Sequence, residues 1–344
     1  MSFERGKSML FKKAVKEFIF ADERPFDSCH ASTLVVLPNG DVLAAWFGGT
    51  KEGANDVAIW CSKRTNGSWS YPVKVSDRDG IPHWNPVLFR RDDGRIILYY
   101  KEGYKISEWY TMVTYSDDDG NTWSKPVPLV EGDIGGRGPV KNKPIVLKSG
   151  VVLAPASIEG KYWDAFVDIS YDMGETWTKS EMVPIVHEEA EHGEENSNMR
   201  RGIIQPTLWE SADNNVHMLL RSDMGYIFRS DSSDGGKTWS PAYATSLPNN
   251  NSGIDLVKLK NGTLLLVYNP VSNTISPRKG PRTPLVLSAS RDNGVTWEDC
   301  IVLDTGPGQF SYPAIVAVDN DVYITYTWHR ERIVFWKIEI EEEI

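Results

Sequence analysis

The sequence predicts an all-β chain: a six-bladed β-propeller of four-stranded antiparallel blades. Three observations carry that expectation. First, four segments share the pattern Ser-x-Asp-x-Gly-x-Thr-Trp, running from Ser116 to Trp123, Ser170 to Trp177, Ser232 to Trp239 and Ser290 to Trp297. With a degenerate copy, Gly67-Ser68-Trp69, successive Trp residues lie 54, 54, 62 and 58 positions apart, close to the length of one four-stranded blade. Second, an apolar strand, a short polar turn and another apolar strand recur six times, at 34–46, 87–100, 145–156, 207–220, 255–268 and 314–328. Third, 13 Trp and 14 Tyr stand among 28 Gly and 20 Pro in 344 residues. That mixture of aromatics and turn formers suits many short strands, and helical periodicity is almost absent.

Taken in order, the chain opens with Phe11 to Phe20, whose pattern fits a short helix or a strand. Six hairpins for five Trp-ending segments leave one blade short of an outer strand. Glu17-Phe18-Ile19-Phe20 is expected to supply it, sealing first strand to last and removing a free sheet edge. Each Ser-x-Asp-x-Gly-x-Thr-Trp segment reads as an outer hairpin turn. Asp accepts local backbone N–H bonds, Gly supplies a positive φ, Thr starts the return strand and Trp packs between blades. One insertion, Lys179 to Arg201, carries an acidic run from His187 to Glu195. Its two His are five apart, which does not match a metal helix, and it reads as a solvated loop or a lid. Residues 1–344 are read as a single domain.

Composition narrows the partners. Lys plus Arg is 37 against 47 Asp plus Glu, a net charge of −10, which opposes non-specific binding to nucleic acid or anionic membrane. No apolar run reaches the length of a membrane span. Lys12, Lys13, Lys16 and Glu17 occupy the place of a signal core, so a cytoplasmic location is expected. Cys29, Cys61 and Cys300 are far apart with no CxxC pair, so reduced, mostly buried thiols are expected and neither a metal nor another cofactor.

The inner strand of every blade starts near the axis, so the residues just before it converge on one face. Here they are polar and varied: His30, Asn85, Lys141-Asn142-Lys143, Gln205, the run Asn249 to Asp255, and Tyr312. Asn85, Lys143, Gln205 and Tyr312 each precede Pro, which is expected to hold them extended. Such a ring reads as a binding or catalytic pocket.

The repeated segments resemble the Asp-box, or bacterial neuraminidase, repeat, and the chain is similar to the sialidase superfamily over nearly its whole length. The resemblance implies three Arg that grip a substrate carboxylate, a Tyr nucleophile assisted by Glu, and an Asp acid/base. Arg221, closing the strand Met218-Leu219-Leu220, resembles the second Arg, and Arg282 the third. Tyr312, in Phe-Ser-Tyr-Pro, stands where the nucleophile is expected. The acid/base belongs in the loop Gly48 to Asp56, where Glu52 and Asp56 both qualify. Two positions depart from the pattern. His30-Ala-Ser replaces the Arg-Ile-Pro motif of the first Arg, and Gln205 replaces the assisting Glu. Gln cannot take a proton from Tyr312, and His cannot offer the bidentate fork of Arg, although it moves protons near neutral pH.

The leading expectation is a sialidase-like glycoside hydrolase acting on a small acidic glycan. Arg221, Arg282 and Lys143 would hold the anion, with Asn85, Asn142 and Asp255 as further substrate contacts. Glu52 or Asp56 would protonate the leaving oxygen, opposite Tyr312 and His30. The first alternative is a lyase of uronate-containing glycans, with His30 and Tyr312 moving protons beside Gln205, Asn85 and Asn142. The second is a glycan-binding propeller without catalysis. Arg330 and Arg332 are read as capping the last hairpin, outside the site. Trp84 and Trp328 either stack on a sugar or fill the channel.

Overall fold

A computed structural model describes residues 10–187, 201–273 and 280–341. Six antiparallel sheets surround one axis. Blade one holds Ser28–Val36, Val42–Gly49 and Ala58–Thr65, its outermost strand split into Ser68–Trp69 and Val73–Lys74. Blade two runs from His83–Arg90 to Val127–Pro128, blade three from Ile145–Val146 to Thr178–Lys179, and blade four from Ile203–Glu210 to Tyr243–Pro248. Blade five runs from Asp255–Lys258 to Glu298–Asp304. Blade six joins Phe310–Val318, Asp321–Trp328 and Arg332–Glu341 to the N-terminal strand Leu10–Phe18. The one helical turn among the described residues is the 3-10 segment Ile106–Glu108.

The closing strand is longer and begins earlier than the sequence suggests. Leu10–Phe18 pairs with Arg332–Glu341, with Glu17 opposite Phe335, while Ile19 and Phe20 turn into the core. Glu17 then crosses to blade one, where its carboxylate accepts from Arg64 Nε at 2.6 Å and Trp69 Nε1 at 2.8 Å. The degenerate repeat copy is thus the clasp between last blade and first.

Continuous apolar strands make sense because both faces of a blade are covered. In Val42–Gly49, Leu43, Ala45 and Phe47 pack toward Leu88, Leu98 and Tyr100 of blade two. Val42, Ala44 and Trp46 pack toward Tyr323 and Phe335 of blade six. The period-2 pleat sends alternate residues to opposite neighbours, so no blade face is left to water.

The four repeated turns are built alike. Ser116 Oγ donates to Asp118 and accepts from Gly120 N, while the Asp118 carboxylate accepts from Thr122 N and Thr122 Oγ1 at 2.8 and 2.6 Å. The other three copies repeat these bonds. Gly120, Gly174, Gly236 and Gly294 have φ between +81° and +95°. A Cβ on Gly120 would lie 2.7 Å from Leu43 in the preceding blade, so Gly serves both the turn and the blade contact. Of the four turn indoles only Trp239 is buried; Trp123, Trp177 and Trp297 pack against the core while remaining partly open. The acidic run of the insertion lies outside the described residues beyond His187.

The expectation about proline needs correction. Asn85, Gln205 and Tyr312 precede Pro yet have φ of +41°, +52° and +55°. They belong to a ring of left-handed residues at the head of the inner strands, completed by Ala31, Lys141 and Asn251. In four blades the ladder shifts register at this point. Each shift is a β-bulge, which re-aims a side chain at a site. Pro follows at no cost because a bulge leaves one residue unpaired and Pro has no N–H to satisfy.

Candidate functional site

The bulges bring side chains from different blades onto one end of the axis, around Tyr312. The His30 ring lies 4.1 Å from the Tyr312 ring, and the guanidinium carbons of Arg221 and Arg282 lie 5.7 and 5.5 Å from it. Arg221 Nη1 donates to Tyr312 Oη at 2.6 Å and to Gln205 Oε1 at 3.1 Å, and its Nε donates to Asn251 Oδ1 at 2.9 Å. Arg282 donates to Ser311 Oγ at 3.4 Å. Neither Arg forms an ion pair among the described residues, although both are largely enclosed. A desolvated cation without an anion is costly unless something supplies the charge.

His30 is fully buried. Burial pushes its pKa well below the ordinary histidine value, and Arg330, Arg282, Arg221 and Lys141 push the same way. Its Nδ1 meets Thr327 Oγ1 at 2.8 Å while Nε2 is without a partner. Thr327 Oγ1 also accepts from Ala31 N. Thr327 Oγ1 thus links the His30 ring to the Ala31 backbone. His30 stands in the site as a neutral ring.

The structure separates the two acid/base candidates. Asp56 accepts from the backbone N–H and hydroxyl of Thr50, bonds that hold its carboxyl below the usual range, and it belongs to its own loop. Glu52 reaches Arg330 at 2.8 Å and lies within electrostatic range of Arg282. Arg330 thus faces the site rather than lying outside it. Arg332, by contrast, pairs with Asp22 and packs on Phe18.

Three expected substrate contacts are engaged elsewhere. Lys143 Nζ bonds both Asp255 oxygens at 3.1 and 3.0 Å and Leu256 O at 2.8 Å. Asp255 also accepts from Thr207 Oγ1, Leu256 N and Ile315 N, so its carboxylate ties blades three, four, five and six together. Asn142 donates to Gln205 O and Pro206 O and accepts from Lys141 Nζ. Buried polar groups must be satisfied, and at the crowded axis these residues satisfy one another. Asn85 occupies the blade-two bulge and is buried. Trp84 fills the channel wall, packed between Phe47 and Trp109, with its Nε1 on Gly103 O. Trp328 is stacked on His329 at 3.8 Å.

Sequence reasoning missed Glu159 and Trp163. They end and begin the two middle strands of blade three and face each other in register. Gln205 Nε2 lies 3.5 Å from Glu159 Oε1, and the Trp163 ring is 5.5 Å from the Arg221 guanidinium. Glu159 closes the second strand of blade three as Arg221, marked by the family resemblance, stands near the end of the second strand of blade four. Among the described residues no cluster of three His, Cys, Asp or Glu is placed to hold a metal ion.

The family model described as BNR repeat-like domain matches residues 40–324, most of the chain. The chain belongs to the BNR repeat-like family. Within the sialidase/BNR superfamily, it is 30% identical to a sialidase from Clostridium perfringens over 219 residues, 54% of this chain and 52% of that protein. It spans about half the length of the curated sialidases it matches. In structure this BNR repeat-like chain superposes on a Dyadobacter fermentans protein of unknown function with TM-score 0.73 at 17% identity, covering 97% of this chain and 99% of that one. It superposes equally, TM-score 0.73 at 15% identity, on Trypanosoma rangeli sialidase in complex with the inhibitor DANA, covering 95% and 60%. At such identities the likeness establishes the fold of this BNR repeat-like protein, a sialidase-like propeller.

Proposed function

We propose that the protein is a sialidase-like, exo-acting glycoside hydrolase that cleaves a small acidic glycoside. The observation that carries this reading is the pair of guanidiniums, Arg221 and Arg282, which flank Tyr312 without an ion pair. A sugar carboxylate bound there would receive charge-assisted N–H bonds and would bring its anomeric carbon toward Tyr312 Oη. Tyr312 attacks that carbon as the glycosidic C–O bond breaks, its phenol proton passes to solvent, and the solvent-facing Glu52 carboxylate relays a proton from water to the leaving oxygen. Water then cleaves the tyrosyl–sugar bond. A tyrosine nucleophile is a known exception to the two-carboxylate scheme. The sialidases similar in sequence support the same reaction class.

One observation favours β-elimination instead. Gln205 offers Tyr312 no base, and the neutral His30 ring lies tilted against it with centroids 4.1 Å apart, the inventory of a proton-abstracting lyase. A panel of sialosides and uronides followed by mass analysis separates the readings. Hydrolysis adds one water to the products. Elimination yields an unsaturated uronate that absorbs in the ultraviolet. Binding without turnover, unchanged by Tyr312→Phe, would leave only a glycan-binding propeller.

A further inference from the structure

Around the axis most carboxylates are already spoken for. Glu52 pairs with Arg330 and Asp255 with Lys143. Asp223 caps the backbone N–H groups of Arg201 and Gly202. Glu159 differs. Its partner is the Gln205 amide at 3.5 Å, and it forms no ion pair among the described residues. It is surrounded by protein on most sides yet keeps part of its surface open to solvent, as a residue in a pocket wall does. Gln205 joins it to Arg221, which also donates to Tyr312, so an anion held by Arg221 would arrive beside this carboxyl group.

We propose that Glu159 is a ligand-contacting residue of the axial site, and that it enters the complex as a neutral carboxylic acid donating a hydrogen bond to the anionic sugar. The inference rests on the reading that the site takes a carboxylate-bearing sugar. Two carboxylates brought together in a desolvated pocket cannot both stay ionised. One takes up a proton from solvent, and Glu159 is the stronger base of the two. Burial already raises its pKa above the usual glutamate value and the Glu52 charge adds to this, against opposing effects from Arg221, Gln205 and Lys101.

The other groups facing the site are less suited to take that proton. Arg221, Arg282 and Arg330 are guanidiniums, with no acceptor site for a further proton. Glu52 is paired with Arg330. His30 would have to become a cation among Arg330 and Lys141, which stay whether or not ligand is bound. Burial lowers Lys141 to about 7, but three oxygens, of Asn142, Ile254 and Pro313, surround its Nζ and call for three N–H donors. Lys101, also lowered to about 7 by burial, donates to Thr111 Oγ1 and Arg137 O. Lys141 thus needs all three of its N–H groups before any ligand arrives, and Lys101→Met serves as the control for Lys101.

The test is titration calorimetry of free sialic acid and free glucuronic acid, in buffers of unequal ionisation enthalpy, between about pH 5 and 8. Wild-type protein should take up close to one proton per sugar bound, with affinity falling about tenfold per pH unit where Glu159 titrates. Glu159→Gln keeps a donor, so it should bind with no proton uptake and a flat pH profile; its thermal midpoint checks that it folds. Glu159→Leu should weaken binding about tenfold or more. Uptake that survives in Glu159→Gln, or that disappears instead in His30→Gln, Lys141→Met or Lys101→Met, overturns the inference and leaves the acidic-sugar reading standing. If wild-type protein binds neither sugar acid, that reading fails and the inference falls with it.

Discussion

At the scale of single residues, the chemistry turns on which charges have partners. Arg221 and Arg282 lack an anion, so replacing either by Ala should weaken binding of an acidic sugar by about 1.5–3 kcal/mol, read by calorimetry. Tyr312→Phe should leave binding within a few-fold and abolish turnover, because it removes the nucleophilic oxygen while preserving the ring between the two guanidiniums. A mutant that still turns over would remove Tyr312 from the chemistry. His30 gives a stability prediction with a definite sign. Its folded-state pKa is depressed, so below the unfolded value of about 6.5 the unfolded chain takes a proton that the folded one refuses. Stability should therefore fall as pH drops below that point, by about 1.4 kcal/mol per pH unit for this one group. Urea midpoints across pH should show a shallower slope in His30→Gln than in wild type.

At the scale of elements, the repeated turns are stability devices remote from the site. Gly120→Ala puts a Cβ 2.7 Å from Leu43 at φ +82°, and should cost about 2 kcal/mol or more. Trp239, the buried indole of the set, should cost about 3–5 kcal/mol on replacement by Ala. In both cases activity per folded molecule should be unchanged; lost activity at unchanged stability would move these turns to the site. The Asp residues add an acid limit. Bonds from the Thr122 hydroxyl and N–H hold Asp118 at about 2, and Thr176 does the same for Asp172. Their support is present above the unfolded value of about 3.8 and is lost as pH falls toward 2.

For the whole molecule, closure is the decisive contact. Leu10–Phe18 covers the edge of Arg332–Glu341, and Glu17 ties that seam to Arg64 and Trp69 of blade one. Deleting residues through Phe18 exposes a ten-residue edge strand, which templates pairing with other chains. The truncated protein should melt at lower temperature and self-associate, as light scattering would register. An unchanged midpoint would mean that the blade-to-blade cores alone hold the ring.

The sequence by itself determined the fold, the blade count and the positions of the repeated turns, because these depend on local pattern: period-2 apolar strands, turn residues at fixed offsets, and a Trp ending the turn in five of the six blades. The polar residues before the inner strands picked out His30, Gln205 and Tyr312, and the family resemblance added Arg221 and Arg282. Which polar residue does what was decided only in three dimensions. Lys143, Asp255 and Asn142 look as reactive in the sequence as Gln205, yet Lys143 pairs with Asp255 across blades and Asn142 bonds Lys141 and the carbonyls of Gln205 and Pro206, because buried polar groups must be satisfied by whatever neighbour the ring brings near. Asp56 and Glu52 lie four residues apart, and only the loop's path sends one to Thr50 and the other to Arg330. Glu159 was hidden for the same reason. Its place at the end of a second strand was legible, but its contact with Gln205 of the next blade, 46 residues along the chain, was not.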